Sequence, residues 1–390
     1  MPKFPDFADR VNHVTGSVFE KFLPKMREKG DDLVKLHIGD SYLPPPYQLP
    51  IDPEFRDQFP GFNRYCNTYG ISQLRSAVAE KVFSDNHLPV KKDNIMMTCG
   101  ACNALYTSML GLVDSREEVI VLTPAWPFFI GMVRMAGGNA IEIPFYTRLY
   151  DNPQLDIQDY LKRFITKKTV AMYLNTPNNP SGKVLTREQL QQIADFAKAH
   201  QLWVVSDEAY DGMTYDGHKH ISIAELPGLF DQTLSIFTFS KVYMFAGLRL
   251  GYVAATRKVL QNLNKMMVHQ LYSPATPSQY MMIEPVWTRR EWSDKFVKHC
   301  HELRDIFTEN LHVEHHVPEG AYYLFFSIKD YLKGSNYWEV IEALLDEGVS
   351  VAPGNDFGKD YVDYIRICFA GESPERLQIA VKRLNQILIG

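Results

Sequence analysis

The sequence has no apolar run long enough to cross a bilayer, so a helical membrane span is not expected. Its first residues, Met1-Pro-Lys-Phe-Pro-Asp-Phe7, lack the basic stretch and following apolar stretch of a secretory leader. It has no surplus of charge either: 41 basic side chains stand against 46 acidic ones, a formal net charge of −5 at pH 7. Nothing in that balance attracts nucleic acid or an anionic membrane, and neither is expected as a partner. Cysteine is scarce. Five are scattered through the chain, an odd number that suits reduced thiols in a cytoplasmic protein better than a disulfide frame. Cys99 and Cys102 form a C-x-x-C, but no second ligand pair accompanies them. Cys66, Cys300 and Cys368 stand alone, and His299 and His301 flank Cys300 on a charged helical pattern, so no metal site is expected. Internal repeats and low-complexity segments are missing too.

What is present reads as a globular chain, with 45% hydrophobic and 22% charged residues. At 390 residues it exceeds one ordinary core and should divide. Leu43-Pro-Pro-Pro46 reads as an extended connector. Beyond residue 70, helical patterns over 74–83, 101–112 and 186–200 alternate with apolar runs at 94–98, 118–123, 169–174, 202–206 and 234–239. The helix at 186 opens on Thr186-Arg-Glu-Gln189, a capping box. This alternation predicts an α/β fold with a doubly wound, mostly parallel sheet. After residue 285 a charged helical pattern over 287–311 leads to strands near 322–328, 349–352 and 364–369 and a last helix over 374–388. The expected organisation is an N-terminal segment, 1–48, packing on a small α+β domain, 286–390, with a large domain at 49–285.

Several apolar runs end in residues that are odd for a core. The run at 95–98 ends at Gly100, the one at 119–122 at Pro124 and Trp126, and the one at 170–174 at Asn175 and its turn. The runs at 202–205 and 234–239 end at Asp207 and at Ser240-Lys241. In a parallel sheet these ends share one edge, where ligands bind. Gly100, Trp126, Asn179, Asp207, Tyr210 and Lys241 can therefore converge, and together they suit a phosphorylated pyridine aldehyde. Gly100 opening a helix offers free N–H groups to a phosphate, although strand–glycine–helix turns are usually only turns. Either Asp207 or Glu208 can face the site, since alternation allows only one, and a carboxylate there can hold a pyridine nitrogen protonated. Trp126 offers a flat face, or is a plain core indole. Lys241 after an apolar strand is either a snorkelling surface residue or a buried amine kept for chemistry. Arg249, eight residues on, can supply a cation and grip phosphate.

Four segments in order carry a resemblance. They are Asn175-Thr-Pro-Asn-Asn-Pro-Ser-Gly182, Asp207-Glu-Ala-Tyr210, Thr238-Phe-Ser-Lys-Val-Tyr-Met-Phe-Ala-Gly-Leu-Arg-Leu-Gly251 and Tyr364-Ile-Arg-Ile367. From Leu36-His-Ile-Gly-Asp40 to Ile365-Arg-Ile367 the chain resembles the class I/II aminotransferases of the fold-type I, pyridoxal phosphate-dependent family. The resemblance implies an enzyme that moves an amino group from an L-amino acid to a 2-oxo acid in two stages. It implies Lys241 as Schiff-base and proton-shuttle residue, Asp207 on the pyridine nitrogen, and Tyr210 and Asn179 on the phenolic oxygen. Trp126 would stack on the ring, and Gly100, Ala101, Cys102, Thr238, Ser240 and Arg249 would form the phosphate cup. Arg366 would grip the substrate α-carboxylate, helped by the backbone at Gly39. Tyr65, in a segment similar to the family's Y-x-x-x-x-G-x-x-x-L-R, would reach the phosphate of a neighbouring subunit, which implies a homodimer. Cys102 and Asn103 depart from the small or polar residues familiar in the phosphate loop. Residues 265–279 hold no arginine and one histidine, His269, which argues against strict aspartate selectivity. A lyase or synthase on the same scaffold is the alternative.

Overall fold

The computed structural model describes residues 4–14, 16, 21–49 and 52–390. In chain order its strands are β1 (Val34–Lys35), β2 (Ile95–Thr98), β3 (Glu118–Thr123), β4 (Asn139–Pro144), β5 (Thr169–Asn175), β6 (Trp203–Asp207), β7 (Thr233–Thr238), β8 (Gly251–Ala254), β9 (Tyr323–Ser327), β10 (Val349–Ser350), β11 (Ala352–Pro353) and β12 (Tyr364–Cys368).

Strands β2 to β8 pair into one seven-stranded sheet in the order β2-β8-β7-β6-β5-β3-β4. Neighbours run parallel except around β8, which is antiparallel to β2 and β7. Alternation sorts the apolar residues of β3. Val119 and Val121 pack with Leu105, Met109 and Val133, while Ile120 and Leu122 pack with Leu149, Leu190 and Ile193 on the other face. Helices cover both faces, among them Gly100–Leu112, Pro127–Met135 and Arg257–Leu271 on the first and Arg187–Ala199 on the second. Two-sided burial is why these strands read as unbroken apolar runs. Each buried Val, Leu or Ile contributes roughly 1.5–3 kcal/mol. The expected capping box forms: Thr186 Oγ1 accepts from the Gln189 N–H at 3.3 Å, and Gln189 Oε1 accepts from the Thr186 N–H at 3.1 Å.

The remaining elements build a three-stranded antiparallel sheet, β11-β12-β9, with helices Ser293–Asn310, Tyr337–Asp346 and Pro374–Leu388. The single strand expected over 349–352 is two: β10 pairs with β1, and β11 pairs with β12. The helix expected from 287 begins at Ser293, after a 3-10 turn at Arg289–Glu291. Val34 pairs with Val349 in the C-terminal region, whereas Val14 lies beside Gly131 of the helix on the large sheet.

Strand order reverses between β3 and β5. Chain entering β4 leaves on one side, and chain entering β6 and β7 leaves on the other. The carboxyl ends of β3 and β5 therefore part and open a crevice there.

Candidate active site

That crevice is a cavity of about 1040 Å³. Its lining includes Gly39, Ala101, Cys102, Trp126, Asn179, Asp207, Tyr210, Thr238, Ser240, Lys241, Arg249 and Arg366. Two expected residues lie outside it. Gly100 sits just behind the wall, where an added Cβ would come 3.1 Å from Arg249 Nη2. Tyr65 is 84% exposed and packs edge-on against Tyr272.

Lys241 is the third residue after β7, and its Nζ donates to the Gly39 carbonyl at 2.7 Å. The side chain lines the cavity and is partly exposed. Desolvation pushes its pKa below the ordinary lysine value, and Arg366 adds to that, while Asp40 and Asp207 pull the other way. The amine is thus easier to neutralise than a surface lysine.

Asp207 ends β6 and is buried. Parallel register sets Asn175 opposite it and Tyr173 opposite Val205, so Tyr173, Asn175 and Asp207 share a face. Tyr173 donates its hydroxyl to Asp207 Oδ2 at 2.9 Å, the Ala209 N–H donates to Oδ1 at 3.2 Å, and Asn175 Nδ2 holds the Asp207 carbonyl at 2.8 Å. Burial outweighs these bonds and raises the carboxyl to about 6. A cation placed against it would reverse that rise. Glu208 points the other way, into a buried cluster with His220 and Ser222, so Asp207 is the carboxylate that faces the cavity.

One end of the cavity is made by the start of helix Gly100–Leu112, the Thr238 and Ser240 hydroxyls, which bond each other at 2.9 Å, and Arg249, a set of donors and a cation suited to an anion. Two glycines keep it open. Gly100 has φ +75°, and a Cβ on Gly251 would stand 2.9 Å from the Ala101 nitrogen. Trp126, also on the cavity wall, caps helix Pro127–Met135, with Phe128 against its edge.

At the far end, Arg366 Nη2 donates to the His37 carbonyl at 2.6 Å and Nη1 to Asn179 Oδ1 at 3.2 Å. Its guanidinium lies 4.5 Å from the Tyr323 ring centre and 5.1 Å from that of Phe357. Its Nε is buried with no partner among the described residues. The Tyr210 and Tyr323 hydroxyls bond at 2.7 Å. The Asn179 N–H is fixed by Asn175 Oδ1 at 2.7 Å.

Sequence reading missed Tyr173, Asn175 as a support, Tyr323, His37 and Phe357. Of these, only Asn175 carried a signal, as the polar residue that closes a strand.

The groups present fit pyridoxal phosphate: a glycine-walled cationic cup, a buried carboxylate in need of a cation, an amine between them and an arginine with a spare donor. A doubly wound sheet with such a cavity at its carboxyl edge defines a pyridoxal phosphate enzyme. Comparison with known proteins agrees. Residues 31–384 match the model of the family described as aminotransferase class I and II. An aspartate aminotransferase of Pyrococcus abyssi is 33% identical over 98% of each chain, and aromatic-amino-acid aminotransferase 2 of Thermococcus litoralis is 32% identical over 98% of each. A double mutant of the Thermus thermophilus aspartate aminotransferase superposes with a TM-score of 0.87 at 29% identity, covering 99% of this chain and 100% of its own. The chain belongs to the class I and II aminotransferases. It is a pyridoxal phosphate-dependent transaminase acting on amino and 2-oxo acids, and the lyase or synthase alternative is not favoured. Among the described residues no helix is long and apolar enough to cross a membrane.

Proposed function

We propose that Lys241 is the covalent attachment point of the cofactor and carries the proton taken from the substrate α-carbon. The observation that carries this reading is the Lys241 amine, desolvated in the cavity with the Gly39 carbonyl 2.7 Å away. Only a neutral amine attacks a carbonyl or accepts a proton, and desolvation raises the neutral fraction. When bound, the cofactor supplies an aldehyde that condenses with amines and a ring that withdraws electrons from the bond being broken. Asp207 holds a proton on the ring nitrogen, with Tyr173 fixing one carboxylate oxygen. Tyr210 and Asn179 donate to the phenolic oxygen. Trp126 stacks on the ring. Arg249, Thr238, Ser240 and the main chain at Gly100, Ala101 and Cys102 bind the phosphate. Arg366, with its spare Nε, binds the α-carboxylate, and the main chain at Gly39 closes that end. An amino donor and a 2-oxo acid acceptor use these groups in turn.

The protomer works in a homodimer, with Tyr65 of the partner subunit at the phosphate. The exposure of Tyr65 away from its own cavity supports this; a single-chain holoenzyme in sedimentation would exclude it. Residues 49–285 form the large domain and 286–390 the small one, and the N-terminal segment touches both, through Val34 on β10 and Val14 beside Gly131. Five free cysteines support a cytoplasmic setting. The arginine-free stretch 265–279 supports donors other than aspartate alone.

Borohydride reduction of the holoenzyme followed by peptide mapping tests the central assignment. The pyridoxyl group should appear on Lys241, and Lys241→Ala protein should lose turnover by a factor on the order of 10⁴ or more, the scale of acid–base together with covalent catalysis. A pyridoxyl group on another lysine, or full turnover by Lys241→Ala, would overturn it.

A further inference from the structure

Asp356 lines the same cavity and takes no part in the steps above. It lies in the 3-10 turn Gly354–Phe357, directly after β11. In the pairing of β11 with β12, Ala352 sits opposite Arg366. The turn is pinned on several sides. A Cβ on Gly354 would collide with the Tyr361 and Tyr364 carbonyls, so glycine is needed for the chain to fold back there. The Phe357 carbonyl accepts from the Ala125 N–H at 2.9 Å, tying the turn to the strand end that carries Trp126. The Phe357 ring lies against the Arg366 guanidinium. Asp356 is thereby fixed near Arg366 without pairing with it, because Arg366 bonds His37 and Asn179 and acts on Asp356 only through space.

No described residue donates a hydrogen bond to the Asp356 carboxylate. Of the other cations on the cavity wall, Arg134 stands 3.9 Å from Glu142, and exposed Lys359 forms no ion pair with Asp356. Burial raises the Asp356 carboxyl to about 6, which still leaves it mostly charged at neutral pH. Its oxygens open on the cavity, where a ligand that brings a hydrogen-bond donor can take the place of water. A second carboxylate brought to the same place meets like charge instead.

We infer that Asp356 is a specificity-determining residue: it favours amino donors whose side chain ends in an amide, an amine or another hydrogen-bond donor, and disfavours those ending in a carboxylate. This rests on amino transfer at the Lys241 site. Glutamine and glutamate differ only in the terminal group, so their kcat/KM values in the wild-type, Asp356→Asn and Asp356→Ala holoenzymes form the test. Both substitutions should raise the glutamate-to-glutamine ratio roughly tenfold. Binding of succinate against succinamate, read from the absorbance of the bound cofactor, should shift the same way and needs no turnover. Ratios that stay put or move oppositely, with wild-type turnover intact, overturn the role of Asp356. Absence of turnover with every donor in the wild-type holoenzyme overturns amino transfer itself.

Discussion

Replacing Tyr173 by phenylalanine removes one oxygen atom and leaves the rest of the side chain in place. The ring stacks on Phe129 at 3.8 Å and 16° and is fully buried, so the packing of this face survives. What goes is the hydroxyl that donates to Asp207 Oδ2 at 2.9 Å. A hydrogen bond to an ionised group is worth about 1.5–3 kcal/mol. Lost from the charged form alone, that raises the Asp207 pKa by roughly one to two units. If Asp207 acts by keeping the ring nitrogen protonated, proton removal from the substrate α-carbon slows by about tenfold to a hundredfold. Tyr173 does not line the cavity, so donor binding should be unchanged. Stopped-flow absorbance of the half-reaction with one amino donor separates the two effects, since the limiting rate should fall while the half-saturating donor concentration stays put. A limiting rate within about twofold of wild type, far less than one hydrogen bond to a charge is worth, would refute the role given to Asp207.

The same carboxylate should leave a signature without cofactor. Its folded pKa of about 6 lies above the ordinary 3.8, so the folded apoprotein binds this proton more tightly than the unfolded chain does. Its contribution to stability is largest below pH 4 and is lost as pH rises to about 6, a change of about 3 kcal/mol. Apo Asp207→Asn should therefore gain stability over apo wild type across that interval in urea titrations, and a difference that is flat with pH would contradict it. Gly100→Ala places a Cβ in a left-handed conformation, costing roughly 1–2 kcal/mol, and against Arg249. Affinity for pyridoxal phosphate should fall about tenfold, one hydrogen bond's worth, while affinity for unphosphorylated pyridoxal holds; equal losses for both would remove Arg249 from the phosphate cup.

The sheet was legible where strands are buried on both faces, and the site was legible because ligand groups close those strands. Two strands of the seven-stranded sheet escaped sequence reading, as did the short β1. β4 is an edge strand that carries Glu142 and ends in Pro144, features tolerated only at an edge. β8 is four residues long and follows the Lys241 loop so closely that it read as part of that motif. Tyr173 and Tyr323 looked like core aromatics, because their roles depend on register. Tyr173 meets Asp207 only once Asn175 is set opposite Asp207, and Tyr323 reaches Arg366 only as its diagonal neighbour in the antiparallel pairing of β9 and β12, where Arg366 lies opposite Phe325. Alternation narrowed the choice to Asp207 or Glu208 but could not decide it. The buried partners of Glu208, His220 and Ser222, decide it.

The oxygen that holds the Lys241 amine belongs to the main chain of Gly39. Mutagenesis cannot delete it, and an alanine scan will not register the bond. Gly39→Ala would instead drive a methyl group into the Tyr323 hydroxyl, the partner of Tyr210. A damaged Gly39 variant would thus describe the tyrosine pair and say nothing of the carbonyl. What holds glycine at position 39 is therefore the space beside Tyr323, while the carbonyl that bonds the lysine would be there with any residue.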